Sequence, residues 1–350
     1  MSLIVSNVSN KIKSTNDKKL EQFFKLGIDK SLLPNCDIHV LEFTLKNTYS
    51  AFANGIRRAL IEELPVKCLT FNENEFDTTD QFILLDVIQK NINLIPINQD
   101  LKTIDITIKL DKYNDTDGII DVKAGDIEFA DSKNIINIPN IIIAKLRPGK
   151  RIIINKIHII EGSCKTSASK FSLLSNVKYE ILDHEPYDVF EKTGVRSTEY
   201  DPKEFKLSFT TAGNIKPSTV ILTLCDNLIA RLEKMLSNLI TYIESKDKNN
   251  DKNNDKNNDK DSYFSLGLEI LYENNIKNYR FNGEYITLAY MVGQRCFLLD
   301  DNVKFCTPSI HRYDSHEVAI IKLSHADDDK LLMKSIKACI DDVKILNKIL

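Results

Sequence analysis

The chain has 350 residues, a length that predicts two or three domains. Its 47 basic and 50 acidic residues nearly cancel, which excludes a protein that holds nucleic acid through a strongly basic overall surface. Hydrophobic residues make up 42% of the sequence, enough for packed cores, so global disorder is excluded as well.

The first domain starts at residue 37 with a predicted strand and helix, which a long insertion separates from their continuation. Residues 37–46 alternate apolar and polar side chains and predict a strand, whereas residues 47–65 predict a helix that ends at a proline. The next stretch, 66–203, has alternating apolar residues at 104–110 and, with a slip, at 152–159. We therefore predict a β-rich insert domain over 66–203.

After the insertion, residues 204–246 predict a second strand and a long helix that starts at Pro217. Together with residues 37–65 they are expected to form one domain. The apolar stripe of this helix is longer than a small domain needs to cover one sheet, which favours packing against another subunit or a second copy of the same unit. The stripe comprises Val220, Leu224, Leu228, Leu232, Met235, Leu239 and Ile243.

A tether of different composition follows this helix. Residues 247–262 contain three copies of the sequence DKNN and no apolar residue, so they cannot bury a core of their own. The alternating charges favour a solvated linker over a binding tail.

The tail, residues 263–350, repeats the element order of the first domain. A strand candidate at 265–273 leads to a helix candidate at 286–301, and a later strand leads to a long helix whose N-terminus is marked by the acidic residues 327–329. This last helix also carries an apolar stripe. The tail is therefore expected to be a second, smaller domain of the same kind.

A local alignment of the two parts supports duplication. Aligning Arg58 with Arg295 also aligns the Val-Lys pair at 66–67 with that at 303–304. With the shared element order, this predicts an α+β fold in which two copies of one β–α–β–α unit pair as an intramolecular pseudo-dimer. The residues expected to pair the two lobes are Leu228, Leu232, Met235, Leu239, Ile336, Ile340 and Val343.

Known catalytic motifs are missing from the sequence, which has no glycine-rich phosphate loop, no GxSxG and no HExxH. The best candidate for chemistry is the group His311, His316 and His325, near Asp314 and Asp327. If these histidines converged they could hold a metal ion, and otherwise they are ordinary surface histidines. A β-rich metal-dependent hydrolase is thus the alternative function.

The cysteines give no sign of a metal or disulfide framework. Seven are present, and the nearest pair lies ten residues apart. The insertion contains only Cys68 and Cys164, so we expect no metal and no cofactor. The N-terminus lacks the apolar core of a signal peptide, and no window is long and apolar enough for a membrane span, so we expect an intracellular protein without membrane contact.

Arg57 and Arg58 form a pair on the first predicted helix. Adjacent helical residues diverge by about 100°, so both cannot lie on the buried stripe. One guanidinium could bind carboxylates or carbonyls of a partner, or both could lie on a solvated face. The spacing alone does not decide between these interpretations.

Six short motifs follow one another in the first part of the chain: 54–60 (NGIRRAL), 63–65 (ELP), 80–83 (DQFI), 94–97 (LIPI), 162–172 and 205–217. In content and order they resemble the alpha-type assembly subunits of cellular RNA polymerases. Asn91 and Asn93 stand where that family has an arginine and a glycine.

The tail resembles the smaller alpha-like partner subunit of the same enzymes. The resemblance rests on Glu284 with Thr287 and Leu288, and on the run 303–305 with Pro308. The chain would then be a fusion of the two subunits, an arrangement known in large DNA viruses of eukaryotes. For such a virus, the resemblance implies a place in the host cytoplasm, at the virus factory, and in the virion.

The resemblance implies a non-catalytic platform on which the two largest polymerase subunits assemble. Small zinc-containing subunits are possible further partners, and DNA would be reached only through the assembled enzyme. The subunit-interface residues that the resemblance implies are Asn54, Arg57, Arg58, Leu94, Pro96, Lys165, Lys170, Thr287, Leu288 and Arg295.

Overall fold

The fold combines helices and antiparallel sheets, which confirms the predicted α+β class. The computed structural model describes residues 3–13, 25, 38–99, 108–130, 135–136, 138–183, 202–211, 215–250, 263–265, 267–273, 276–309 and 318–348. The helices in these ranges are α1 (Ser50–Arg58), α2 (Leu85–Asn93), α3 (Pro217–Asn250), α4 (Ile286–Leu299) and α5 (Asp328–Asn347). The strands are β1 (Ile4–Lys13), β2 (Ile38–Lys46), β3 (Val66–Thr70), β4 (Phe76–Thr78), β5 (Ile108–Tyr113), β6 (Ile120–Lys123), β7 (Glu128–Phe129), β8 (Ile142–Leu146), β9 (Arg151–Gly162), β10 (Ser175–Ile181), β11 (Phe205–Thr211), β12 (Tyr263–Phe264), β13 (Leu268–Glu273), β14 (Ile276–Asn282), β15 (Phe305–Ser309) and β16 (Val318–Ser324).

The first sheet has the order β1-β2-β11-β10 and joins the strands on either side of the insertion. Its register places Leu41 opposite Phe209, Phe43 opposite Leu207, and Leu45 opposite Phe205. Directly opposite residues point to the same face, and all six of these side chains are buried there. The apolar alternation of the two strands therefore builds one half of a core.

Helix α1 ends earlier than the sequence predicts. It gives way at Ala59–Glu63 to a π-helical turn, after which Leu64 is extended. The extended residue precedes Pro65, and a proline disfavours helical backbone in the residue before it. This turn directs Glu63 into the interior, where only 5% of the residue is exposed.

The insertion has a core of its own, in a sheet of order β3-β9-β5-β7 with a separate β6-β8 pair. The slip in the alternation at 152–159 corresponds to a bulge, since Leu110 pairs with Ile154 but Ile108 pairs with Ile157. The bulge absorbs one extra residue of β9, and the isoleucines on both sides of it stay buried. Of the strand predicted at 104–110, residues 104–107 lie outside the described ranges.

The tail forms a second antiparallel sheet of order β12-β13-β14-β16-β15, with α4 and α5 packed on it. The inward positions again come from alternation: Phe281 pairs with Ala319, and Tyr279 pairs with Ile321. All four are fully buried. The predicted strand, helix, strand and helix occur in that order as β13, α4, β16 and α5, and the sheet contains the further strands β12, β14 and β15.

The tail packs against the first sheet and its helices, and one hydrophobic core contains residues of both. Helix α3 contacts α5, and α1 contacts α4. The approach of α1 to α4 is close at Gly55, where an added Cβ would lie 2.6 Å from the Met291 sulfur. Only a residue without a side chain allows the two helices to come this near.

The predicted tether begins too early. Helix α3 continues through Asn250, because the first DKNN copy contains neither proline nor glycine and so has nothing that ends a helix. The rest of the tether, 251–262, lies outside the described residues. None of the helices in the described ranges combines the length and apolar content needed to cross a bilayer.

Candidate functional site

A network of buried charged side chains joins the tail to the rest of the chain. Glu63 Oε1 accepts hydrogen bonds from Lys165 Nζ at 2.8 Å and from Thr287 Oγ1 at 2.7 Å. Its Oε2 accepts from Arg231 Nη1 at 2.6 Å, and Arg231 Nε donates to Glu284 Oε2 at 2.9 Å. We call these five residues the junction network. They come from the α1 turn, the loop after β9, helix α3 and the tail.

The electrostatics of the junction network keep Glu63 ionised. Burial on its own would raise the pKa of Glu63, but the charges of Arg231 and Lys165 outweigh it, so its pKa lies below the ordinary value of 4.5. Glu284 has the opposite balance, because burial raises its pKa more than Arg231 lowers it. Glu63 is therefore held in its ionised form between the two cations, and Glu284 forms a second ion pair with Arg231.

Tyr285 covers the network on the tail side. The Lys165 ammonium lies 3.0 Å from the centre of the Tyr285 ring, and the Arg231 guanidinium carbon lies 4.9 Å from it. A ring face attracts a cation, and the attraction grows when water is excluded. Tyr285 thus stabilises both cations without adding a charge to a site that is already balanced.

Three of the residues expected at a subunit interface lie inside the chain instead. Thr287 and Leu288 are 1% and 0% exposed. The Arg295 side chain is 14% exposed and forms a 3.5 Å ion pair with Asp342, and its guanidinium carbon is 5.7 Å from the Tyr49 ring centre. They face inward because α1 of the other half and α5 of the tail both pack against α4. The structure therefore corrects the expectation that these three contact a partner.

The α1 residues of the expected interface are half-buried at the surface. Arg57 Nε donates to Asn54 Oδ1 at 3.0 Å, which fixes the direction of its guanidinium. Arg58 forms a 3.6 Å ion pair with Glu62 one turn further on. Asn54 thus positions an arginine whose other donors can bind carboxylates or carbonyls.

Helix α4 also carries exposed apolar side chains that were not predicted from the sequence. Tyr290, Phe297 and Leu298 are 46%, 43% and 48% exposed. The sequence contained a signal for this surface, because α4 is apolar on nearly all sides. A helix of that kind is normally buried on all sides. We call Tyr290, Phe297 and Leu298 the α4 patch.

The remaining expected interface residues lie on or beside the insert domain. Leu94 is 50% exposed, while Pro96 and Lys170 are half-buried around a cavity of about 60 Å³. Lys165 belongs to the junction network. Asn91, which stands in place of an arginine, donates to the Ile143 carbonyl at 2.8 Å and so has a contact within the insert domain.

The seven residues expected to pair the lobes are buried in the shared core, none more than 5% exposed. Four lie on α3 and three on α5, the two helices that contact each other. The four are Leu228, Leu232, Met235 and Leu239, and the three are Ile336, Ile340 and Val343.

The alternative hydrolase site has no support in the described residues. His311 and His316 lie outside them. The His325 ring nitrogen Nε2 lies 3.1 Å from Asp300 Oδ2, and its Nδ1 accepts from the Asp327 amide at 3.0 Å. Among the residues that the structure describes, no group of three histidine, cysteine, aspartate or glutamate side chains is placed to hold a metal ion.

Comparison with known proteins relates the chain to RNA polymerase subunits. No family model matches it. Over 135 residues, 37% of the chain, it is 29% identical to the DNA-directed RNA polymerase subunit Rpo3 of Pyrococcus furiosus, and the match covers 51% of that protein. Over 189 residues, 50% of the chain, it is 28% identical to the DNA-directed RNA polymerase RPB3-11 homolog of African swine fever virus, in a Kenyan pig isolate and in the Badajoz strain, again covering 51% of that protein.

The chain thus spans about half the length of the curated relatives it matches. Its similarity is to subunits of transcribing enzymes, one archaeal and one from a large DNA virus. None of the relatives named here is a metal-dependent hydrolase, so the alternative function gains no support from them.

Proposed function

We propose that the protein is a non-catalytic assembly subunit of a multisubunit DNA-directed RNA polymerase and that the two largest subunits associate on it. The observation that carries the proposal is the junction network, in which Glu63, Lys165, Glu284 and Thr287 come together. These residues belong to the separate segments through which the chain resembles alpha-like subunits. Similarity to Rpo3 and to the RPB3-11 homolog supports the same function.

The architecture proposed for this function is an intramolecular pseudo-dimer. Its first module is 37–65 with 204–246, its second is 263–350, and the insert domain is 66–203. Each helix contacts the helix that has the same place in the other module's element order, α1 against α4 and α3 against α5. Such like-with-like contact is what a two-fold interface requires. Fusion keeps the effective concentration of the second module high.

The two large subunits would bind neighbouring surfaces. In this proposal the α1 surface, with Arg57 and Arg58, contacts the second-largest subunit, and the α4 patch contacts the largest. The α4 patch replaces Arg295 in that role because the arginine side chain is only 14% exposed and is paired with Asp342. Exposed aromatic and arginine side chains are the residue types that dominate protein interfaces.

Small zinc-containing subunits would be further partners, and DNA would be contacted only in the assembled enzyme, in keeping with the nearly neutral charge of −3. Similarity to a viral relative supports action at a virus factory in the host cytoplasm and packaging in the virion.

Affinity purification of the tagged protein from its native host tests the proposal. We expect the two largest polymerase subunits to be recovered and identified by mass spectrometry. Recovery of the protein without any large polymerase subunit would overturn the assembly function.

A further inference from the structure

The first module and the tail share an element order but carry different side chains where they meet. Aligned on the arginines at 58 and 295, Asn54 corresponds to Met291 and Gly55 corresponds to Val292. Helices of the same place in the element order contact each other, α1 against α4 and α3 against α5. A module paired with a second copy of itself would therefore bring the corresponding residue to each of these contacts.

The contact between α1 and α4 fits only the mixed pair. A Cβ at Gly55 would lie 2.6 Å from the Met291 sulfur, so this methionine needs a glycine opposite it. In a pair of two tails, Met291 would face Val292, whose side chain would clash with it. In a pair of two first modules, Gly55 would face Asn54, which is shorter than methionine and would bring a polar group into an apolar contact.

The junction network favours the same pair. Arg231 Nε donates to Glu284 Oε2 at 2.9 Å, and the Arg231 guanidinium carbon lies 4.9 Å from the centre of the Tyr285 ring. Glu284 and Tyr285 belong to the tail, and the corresponding residues of the first module are Asn47 and Thr48. A second first module would therefore bring neither a carboxylate nor an aromatic ring to this arginine.

The far end of α3 carries a charge that matches the start of α5. Lys246 forms a 3.5 Å ion pair with Asp329, which lies in the acidic first turn of α5. Helix α3 has no acidic residue in its own first turn, and Lys216 directly precedes it. If the end of one α3 met the start of another, Lys246 would approach a lysine instead of an aspartate, and like charges repel.

We propose that these contacts decide which modules pair, so that the first module binds the tail and excludes a second copy of itself. Gly55 with Met291 acts through size, and Arg231 with Glu284 acts through charge. The inference rests on the proposed pseudo-dimer and adds the residues that make it a mixed pair. Each platform then offers one α1 surface and one α4 patch, whereas two paired first modules would offer two α1 surfaces.

Two full chains with different N-terminal tags, each with a protease site in the tether, test the inference. After cutting, the mixed chains exchange halves at a urea concentration below the unfolding transition. Purification through one tag should recover tails, with no more than a trace of first modules that carry the other tag. Recovery of the other first module in amounts comparable with the tail would overturn the inference.

A swapped contact tests Gly55 and Met291 themselves. When a chain with Gly55→Leu and Met291→Ala exchanges halves with the wild type, matched halves should be recovered about tenfold more often than mismatched ones, because the Gly55→Leu module clashes with the wild-type tail. Tyr290→Ala is the matched control, since Tyr290 is adjacent to Met291 but 46% exposed, and its tail should distribute evenly. Even distribution of the swapped halves, or halves of the swapped chain that no longer pair with each other, would contradict the role of this contact.

The outcomes separate this inference from the assembly function. If the large subunits co-purify with the chain but its first modules pair with each other, the inference is wrong and the assembly function stands. If the halves sort as expected but no polymerase subunit co-purifies, the inference stands and the assembly function fails. Cut wild-type halves that separate would overturn the pseudo-dimer and the inference together.

Discussion

Glu63 accepts hydrogen bonds from three side chains that are distant in sequence, Lys165, Arg231 and Thr287. A carboxylate this deeply buried is stable only because both of its oxygens are paired with cations. The same residue ends the α1 turn, so the local backbone and the junction network depend on one position.

Glu63→Gln should therefore destabilise the protein by about 3–5 kcal/mol, because it leaves the buried Arg231 and Lys165 without their shared counter-charge. Thermal melting and urea unfolding measure the effect. Glu62→Gln is the matched control, since it removes only a partly exposed ion pair with Arg58, whose contribution is about 0–1 kcal/mol. Equal stability of the two variants would contradict the structural role of Glu63.

The effect of Glu63→Gln should also depend on pH. Folding lowers the pKa of Glu63 below 4.5, so the unfolded state binds more protons in acid, and the stability contributed by the ionised side chain is present above about pH 4.5 and lost below it. The melting-temperature gap between wild type and variant should shrink from pH 7 to about pH 3. A gap that stays constant would show that the charge of Glu63 is not the cause of the lost stability.

The two proposed large-subunit surfaces should be separable. Arg57→Ala with Arg58→Ala should mainly weaken binding of the second-largest subunit, and Tyr290→Asp with Phe297→Asp mainly binding of the largest, because each pair lies on a different exposed helix face. Truncating a desolvated charged contact costs roughly 2–5 kcal/mol, which a quantitative pull-down can detect.

Circular dichroism and thermal melting serve as controls for folding. A strongly lowered melting temperature would mean that these side chains stabilise the fold. Wild-type recovery of both large subunits with all four changes combined would show that neither surface belongs to the interface.

Among the elements, α1 and α4 depend on Gly55 for their contact. Gly55→Val should destabilise the protein by about 1–3 kcal/mol, because its side chain would displace Met291, whose sulfur lies 2.6 Å from the position of the new Cβ. Combining it with Met291→Ala should cost less than the sum of the single changes, since the truncation makes room. Strict additivity in urea unfolding would show that the two positions do not share this contact.

Helices α3 and α5 supply the largest apolar stripes of the shared core. Leu232→Asp should separate the two modules once the tether has been cut at an inserted protease site, because an unpaired buried charge costs several kcal/mol. The matched control is Leu222→Asp, at an α3 position that is 42% exposed. Gel filtration should show the cut wild-type and control halves running together. Separation of the cut wild-type halves would disprove the pseudo-dimer.

At the level of the whole molecule, the last turns of α3 before the tether lie against the tail. The Tyr242 and Tyr263 rings are 4.9 Å apart, and Lys246 forms a 3.5 Å ion pair with Asp329 in the tail. The helix continues to Asn250, so the tether connects that point with Tyr263.

Deleting two of the three DKNN copies should leave stability and large-subunit recovery almost unchanged. Loop-closure entropy varies only slowly with length, and α3 already lies beside Tyr263 at Tyr242. The melting temperature and the affinity purification described above measure the result. A loss of large subunits from the shortened chain would show that the segment contacts a partner.

The sequence by itself determined the parts of the fold that follow from local alternation. It predicted the α+β class, the long stripes of α3 and α5, the element order of the tail, and the slip in β9 that the structure shows as a bulge. These patterns can be recognised in the sequence because residues that share one face of a strand or helix recur at a fixed spacing. Family-like motifs pointed in addition to Glu63, Lys165 and Thr287.

Only the tertiary structure decided which of these motif residues face inward. Arg295 aligns with Arg58, yet it is paired with Asp342 inside the chain, whereas Arg58 lies at the surface. Arg231, the centre of the junction network, has no signal in a sequence pattern, since a lone arginine on a long helix normally points to solvent. Burial of a polar side chain depends on which distant segment covers it and offers a counter-charge, and that is a property of the folded chain alone.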